Sequence, residues 1–185
     1  MAHIVSLSPV TAGCRMRIFC NRLPATDDTL VFLSSFMEKT HIQKYIDPFW
    51  KTYFGIYELF FNIRNGAYRA YGAFELDDDG DPVRFLGFQL CMDDGKGKVE
   101  THCFWDRKTP VFQCVKLLKE KAVMDYAKDG NPVKCFVGYI PEDHVAARRL
   151  ALSMGFRCCG AMYGWDRVVG GNIVRTMEYR LDEGA

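Results

Sequence analysis

Residues 133–164 read VKCFVGYIPEDHVAARRLALSMGFRCCGAMYG, and the hydrophobic period changes twice along them. The run CFVGYI (135–140) is apolar without alternation, as in a short strand covered on both faces. From Glu142 to Met154, the residues Ala147, Leu150, Ala151 and Met154 fall on one helical face, with Glu142 and Asp143 at the end where negative charge is favoured. Gly155 ends that helix, because a residue without Cβ enters the left-handed region freely, and FRCCGAMY (156–163) begins another strand. Strand, helix and strand in direct succession mark a sheet-based unit.

Working outward, KVETHCFW (98–105) alternates as a strand, and a helix follows from Pro110 with Thr109 as its N-cap. Val111, Val115, Leu118 and Ala122 form its apolar face, Lys116, Lys119, Lys121 and Lys128 turn to solvent, and Gly130 closes it. Upstream, AYRAYGAFEL (67–76) and VRFLGFQLCM (83–92) flank DDDGDP and make a hairpin. Asp77 to Asp81 has the start of a calcium loop, but its twelfth position is Phe88 where a bidentate Glu is required, so the segment reads as a turn. DDGKGK (93–98) lacks phosphate-loop spacing and reads as a second turn.

Towards the N-terminus, residues 15–22 alternate as a strand, and Thr26-Asp27-Asp28 caps a helix through LVFLSSFMEK. A second helix is expected over 48–63, with Phe49, Trp50, Tyr53, Phe54, Tyr57, Phe60 and Phe61 spread around it, so that it is largely buried or lines a cavity. At the other end NIVRTMEYRL (172–181) pairs with 156–163 across VVGG. The fold class is α/β (α+β): one mixed, mostly antiparallel sheet of about seven strands flanked by about four helices.

Composition sets outer bounds. The 185 residues carry no repeat or linker and are read as a single domain over 1–185; 49% are hydrophobic and 25% charged, which excludes a disordered chain. A net charge of +1 gives no global attraction for nucleic acid or anionic membrane. The start lacks the pattern of a secretory signal and no segment has the apolar length to span a bilayer, so a cytoplasmic location is expected. Eight cysteines (14, 20, 91, 103, 114, 135, 158, 159) contain no CxxC pair and fit free thiols in a reduced compartment, with no metal site. Adjacent Cys158 and Cys159 point to opposite faces of a strand.

The element order, together with PEDHVAARRLALSMGFRCCG, resembles the GCN5-related N-acetyltransferase (GNAT) superfamily, most clearly over 97–164. The match lies in the small residue Ala147, the pair Gly155-Phe156 ending the helix, and Gly160. The resemblance implies acetyl-CoA, or another acyl-CoA, at the splayed edges of the strands near 99–105 and 133–139, with pyrophosphate at the start of the following helix. Cys103, Phe104, Trp105, Arg107, Lys108 and Thr109 occupy that region, and His144 stands where many relatives place a cofactor-contacting Asn. Two departures accompany it. DRKTPVFQ lacks both glycines of the family's Arg/Gln-x-x-Gly-x-Gly/Ala loop, and Ala151 stands where many relatives carry a tyrosine acid.

Glu100 and His102 are two apart in a strand and share a face, which makes them the general-base candidates for deprotonating an amine. Cys103 points the other way and is expected in the core. Tyr53 and Tyr57 are the hydroxyls of the aromatic helix that can reach an acceptor, itself a small-molecule or peptide amine. The function implied is acyl-CoA-dependent N-acyl transfer by direct attack. The alternative is a catalytically silent binding or assembly protein of the same fold, of the kind found among phage and prophage relatives.

Overall fold

Turn chemistry and alternation place the strands. The computed structural model describes residues 16–43, 48–169 and 172–183. Its elements are β1 (Arg17–Arg22), α1 (Asp27–Met37), α2 (Thr40–Gln43), α3 (Tyr53–Arg64), β2 (Tyr68–Leu76), β3 (Pro82–Asp93), β4 (Lys98–Trp105), α4 (Val111–Lys128), β5 (Cys135–Pro141), α5 (Val145–Ser153), β6 (Arg157–Ala161), β7 (Arg167–Val169), β8 (Asn172–Val174) and β9 (Thr176–Asp182). Seven strands form one sheet in the order β1-β2-β3-β4-β5-β9-β6, and β7 and β8 form a separate ribbon. Every pairing in the large sheet is antiparallel except β4 with β5, so the sheet is mixed as expected.

Hydrophobic faces explain the layering. Leu30, Leu33, Phe36 and Met37 of α1 and Leu59 and Ile63 of α3 bury against Phe88, Leu90 and Phe104 on one face of the sheet. Cys114, Leu118, Ala122 and Tyr126 of α4 bury against Tyr71, Leu86, Cys91, Val99 and Phe136 on the other. Each fully buried large side chain contributes about 1.5–3 kcal/mol, so the two layers fix the position of β4 from both sides.

Several local expectations are corrected. The helix expected over 48–63 begins only at Tyr53: residues Pro48–Lys51 form a 3-10 turn, and Thr52 caps α3 by accepting a hydrogen bond from the Gly55 amide. The short α2 adds a fifth helix. Thr109 does not cap α4. Pro110 holds that position without a side-chain bond, because the Thr109 hydroxyl donates to the Leu86 carbonyl at 3.0 Å. The helix expected from Glu142 starts at Val145. The last strand breaks at Arg175: β8 pairs with β7, whereas β9 inserts between β5 and β6. Lys119 is paired with Glu183 at 2.9 Å, not free in solvent.

No helix among the described residues is long and apolar enough to cross a membrane. Seven described cysteines are free thiols; Cys14 and the rest of residues 1–15 lie outside the described residues, as do residues 170 and 171 of the VVGG turn.

Candidate active site

The sheet opens between its two parallel strands. β4 and β5 are in register only at Lys98 with Cys135, Val99 with Phe136 and Glu100 with Val137. Beyond that point β4 follows β3 up to the pair Gly87 and Trp105, and β5 follows β9 up to Pro141 and Thr176. The parting leaves a cleft of about 440 Å³, walled by Thr101 to Trp105 of β4 and Gly138 to Pro141 of β5. Val111, Val115 and Lys119 of α4 and Ala147, Leu150 and Ala151 of α5 complete the wall. Backbone groups of both strands that face this gap are not used in pairing across it, so an extended ligand can take them up.

Glu100 and His102 stand on the α1–α3 side of β4, and the structure brings them together: His102 Nε2 lies 2.6 Å from Glu100 Oε1. His102 lines the cleft, beside Trp50. Glu100 and Glu58 also act on Tyr68, whose phenol is pushed up by burial first and by these two carboxylates next. On the β5 side, Lys98 Nζ donates to the Tyr139 hydroxyl at 3.3 Å, and Trp165 packs on the Tyr139 ring at 4.9 Å. Burial acts to lower the Lys98 ammonium, but Tyr139 and Glu178 outweigh it and raise it. Glu178 is itself buried and bonded to Arg180.

The residues expected around a cofactor divide between the cleft and the loop beyond it. Cys103, Phe104, Trp105 and His144 line the cleft. Cys103 is open to it and not packed in the core as expected, because at the strand parting the alternate face meets the gap instead of a neighbouring strand. It is still ringed by protein, and that burial pushes its thiol up to about 12. Phe104 is mostly buried and stacks on Phe88 with ring centroids 4.6 Å apart. Arg107 and Lys108 are exposed and stand outside the cleft wall. Lys108 takes φ +63°, a left-handed conformation, in the loop where the family pattern has glycine. The amides at the start of α4 are partly spent: Val111 bonds Thr109 O, and Gln113 bonds Pro110 O. On the acceptor side Tyr57 is exposed and outside the cleft wall, and the Tyr53 side chain lies outside the described residues.

Asp106 anchors the loop after β4. Burial acts to raise its carboxyl, but Lys39 at 3.0 Å, the Arg107 amide and His41 outweigh it and hold it below the ordinary carboxylate range. His41 donates from Nε2 to the Trp105 carbonyl at 3.0 Å, tying α2 to the same corner. A carboxyl whose folded pKa lies below its unfolded value adds stability above the unfolded value and loses it as pH falls through the folded one. Lys39→Met is therefore expected to cost about 0.5–1 kcal/mol at neutral pH, discounted for partial exposure. The cost should vanish below the carboxylate range, as urea unfolding at the two pH values will measure.

Sequence reasoning missed Trp50, Tyr139, Gln89 and Lys119 as cleft residues. Trp50 was legible only as one ring among many. Tyr139 faces the gap because of where β5 leaves β4, and Gln89 of β3 and Lys119 of α4 reach it through tertiary packing, which no local pattern encodes. Among the described residues no cluster of three or more His, Cys, Asp or Glu is arranged to hold a metal.

The whole arrangement superimposes on solved acetyltransferase structures. The chain has the GNAT fold. It superimposes on the Vibrio cholerae spermidine N-acetyltransferase in complex with CoA and spermine with TM-score 0.66 and 14% identity, covering 89% of this chain and 95% of that one. It matches the ribosomal L7/L12 alpha-N-protein acetyltransferase in complex with coenzyme A with TM-score 0.65 and 13% identity, over 89% and 93% of the two chains. The Salmonella typhimurium acetyltransferase that modifies the N-terminal serine of L7/L12 gives 0.65 and 12%, over 89% and 94%. No protein-family model and no curated protein matches this GNAT-fold chain in sequence.

Proposed function

We propose that the chain is an acyl-CoA-dependent N-acyltransferase, a single GNAT-like domain over 1–185 acting in the cytoplasm on an amine acceptor. The observation that carries this reading is His102, which lines the cleft between β4 and β5 and is held by Glu100. The cleft suits a pantetheine arm: it is mostly apolar and edged by strand backbone that does not pair across it. Both acetyltransferases crystallised with coenzyme A share this fold. Acyl-CoA supplies the activated thioester. Within the protein, His102 takes the proton from the attacking amine, and Glu100 holds the imidazole in the tautomer that can do so. Ala151, at the cleft wall, has no proton to give to the departing thiolate.

A second reading, a silent binding protein, is favoured by the start of α4. Two of its first three amides, those of Val111 and Gln113, are already bonded to Thr109 and Pro110, and Lys108 takes a left-handed conformation in the loop before it. A pyrophosphate therefore finds fewer free donors there than at an ordinary helix start.

Calorimetry with acetyl-CoA separates the two readings, followed by thiol release with a panel of amines. Because Cys103 opens on the cleft, saturating acetyl-CoA is also expected to slow its alkylation by a small neutral reagent several-fold. Cys158 and Cys159, exposed on β6, should label at unchanged rates. Binding heat absent at millimolar acetyl-CoA, together with unprotected Cys103, would overturn the acyltransferase reading.

A further inference from the structure

The His102 imidazole is held on two sides. Glu100 Oε1 meets Nε2 at 2.6 Å, and Trp50 packs against the ring with centroids 4.8 Å apart and planes at 63°. Trp50 is itself anchored. It sits in the 3-10 turn directly before the Thr52 cap of α3, and its ring lies 6.1 Å from Phe104, which stacks on Phe88 in the core.

A carboxylate oxygen can only accept, so Nε2 carries the proton and the lone pair is left on Nδ1. A half-turn of the ring about its outer torsion would exchange the two edges and break the bond to Glu100. That torsion is soft for an unconstrained histidine. The indole packed against the ring at 4.8 Å is placed to oppose that turn.

We propose that Trp50 is a positioning residue that locks His102 with Nε2 towards Glu100 and Nδ1 as the atom offered to the acceptor amine. The role of Nδ1 in proton abstraction rests on the acyltransferase reading; the orientation of the ring does not. The proton on the amine passes to Nδ1, the nitrogen–carbonyl bond forms, and the thioester carbon–sulfur bond breaks with its electron pair leaving on sulfur. Glu100 then faces an imidazolium, and stabilises it without itself taking a proton.

The test uses the full-length chain with labelled histidine. Long-range proton–nitrogen correlation spectra at neutral pH should show wild-type His102 as a single Nε2–H tautomer. Trp50→Ala should show both tautomers, with kcat lowered by about tenfold or more and KM for acyl-CoA unchanged. Trp50→Phe, which keeps a flat ring at the site, should restore both readouts in large part. Should Trp50→Ala not fold, Trp50→Leu carries the same comparison. A single Nε2–H tautomer in the folded Ala or Leu variant would overturn the proposal, even if activity fell. Mixed tautomers in that variant, with no acyl transfer by the wild type, would uphold the lock and count only against the acyltransferase reading.

Discussion

Gly87→Ala is expected to remove about 2–6 kcal/mol of stability, more than any other single methyl added to the described sheet. Gly87 has φ +151°, outside the range that side-chain-bearing residues adopt readily. A Cβ there would collide with the Phe104 carbonyl oxygen and fall 2.5 Å from Trp105 Cε3 and 2.9 Å from Trp105 Cα. Two of these neighbours are backbone of the paired strand and cannot swing aside. Overpacking costs about 1–3 kcal/mol and a forced rare backbone conformation about 1–3 kcal/mol, and here both apply. The twist has a use. It aims the Leu86 carbonyl at the loop after β4, where the Asp106 amide and the Thr109 hydroxyl both bond to it, at 2.9 and 3.0 Å. Gly130→Ala is the control: φ is +76° but nothing lies within 4 Å of its Cβ, so about 1–2 kcal/mol is expected from the backbone alone. Urea unfolding of both variants checks the difference. A cost for Gly87→Ala no larger than for Gly130→Ala would remove the close-approach argument.

The contrast between these glycines also shows what was readable in the sequence. Gly130 announces itself by closing an amphipathic helix, and Gly155 does the same after Met154. Gly87 sits in an apolar strand run with nothing local to mark it, because its constraint comes from Trp105 on another strand. The same division holds elsewhere. β4 was legible over its full span since alternation and two turn segments bound it. The 3-10 break before α3 was not, because the aromatic residues continue through it and only Thr52 signals a new start.

Thr109 looked like a cap on local grounds, and a tertiary partner, Leu86, won its hydroxyl. The place of β9 between β5 and β6 is a matter of topology, set by long-range pairing after a short ribbon. For the candidate site, period-2 geometry was enough to put Glu100 and His102 on one face. The opening of Cys103 to the cleft depends on where β4 leaves β5, and hydrogen-bond register is invisible in a single strand's pattern.

His102→Ala is expected to lower kcat by roughly 10²–10³, within the usual range for loss of a general base, while leaving the dissociation constant for acetyl-CoA near its wild-type value. The asymmetry follows from position. His102 meets the cleft from the α1–α3 side with Trp50, whereas the cleft's α4 and α5 walls are built from Val111, Val115, Ala147 and Leu150. Removing the imidazole deletes a group used when the amine loses its proton and takes little from the surface that holds a pantetheine arm. Glu100→Gln should be milder, about tenfold, since a glutamine oxygen still accepts from Nε2–H at the same place but no longer balances the charge of an imidazolium. Raising the pH should recover part of the His102→Ala loss, because more acceptor amine is then already deprotonated, and should not recover the wild type further in the same proportion. Thiol release under saturating acetyl-CoA, measured across pH for the three proteins, distinguishes the cases. Equal turnover in all three would take the base assignment away from β4, and a parallel loss of acetyl-CoA affinity in His102→Ala would mean that the imidazole binds ligand instead of moving its proton.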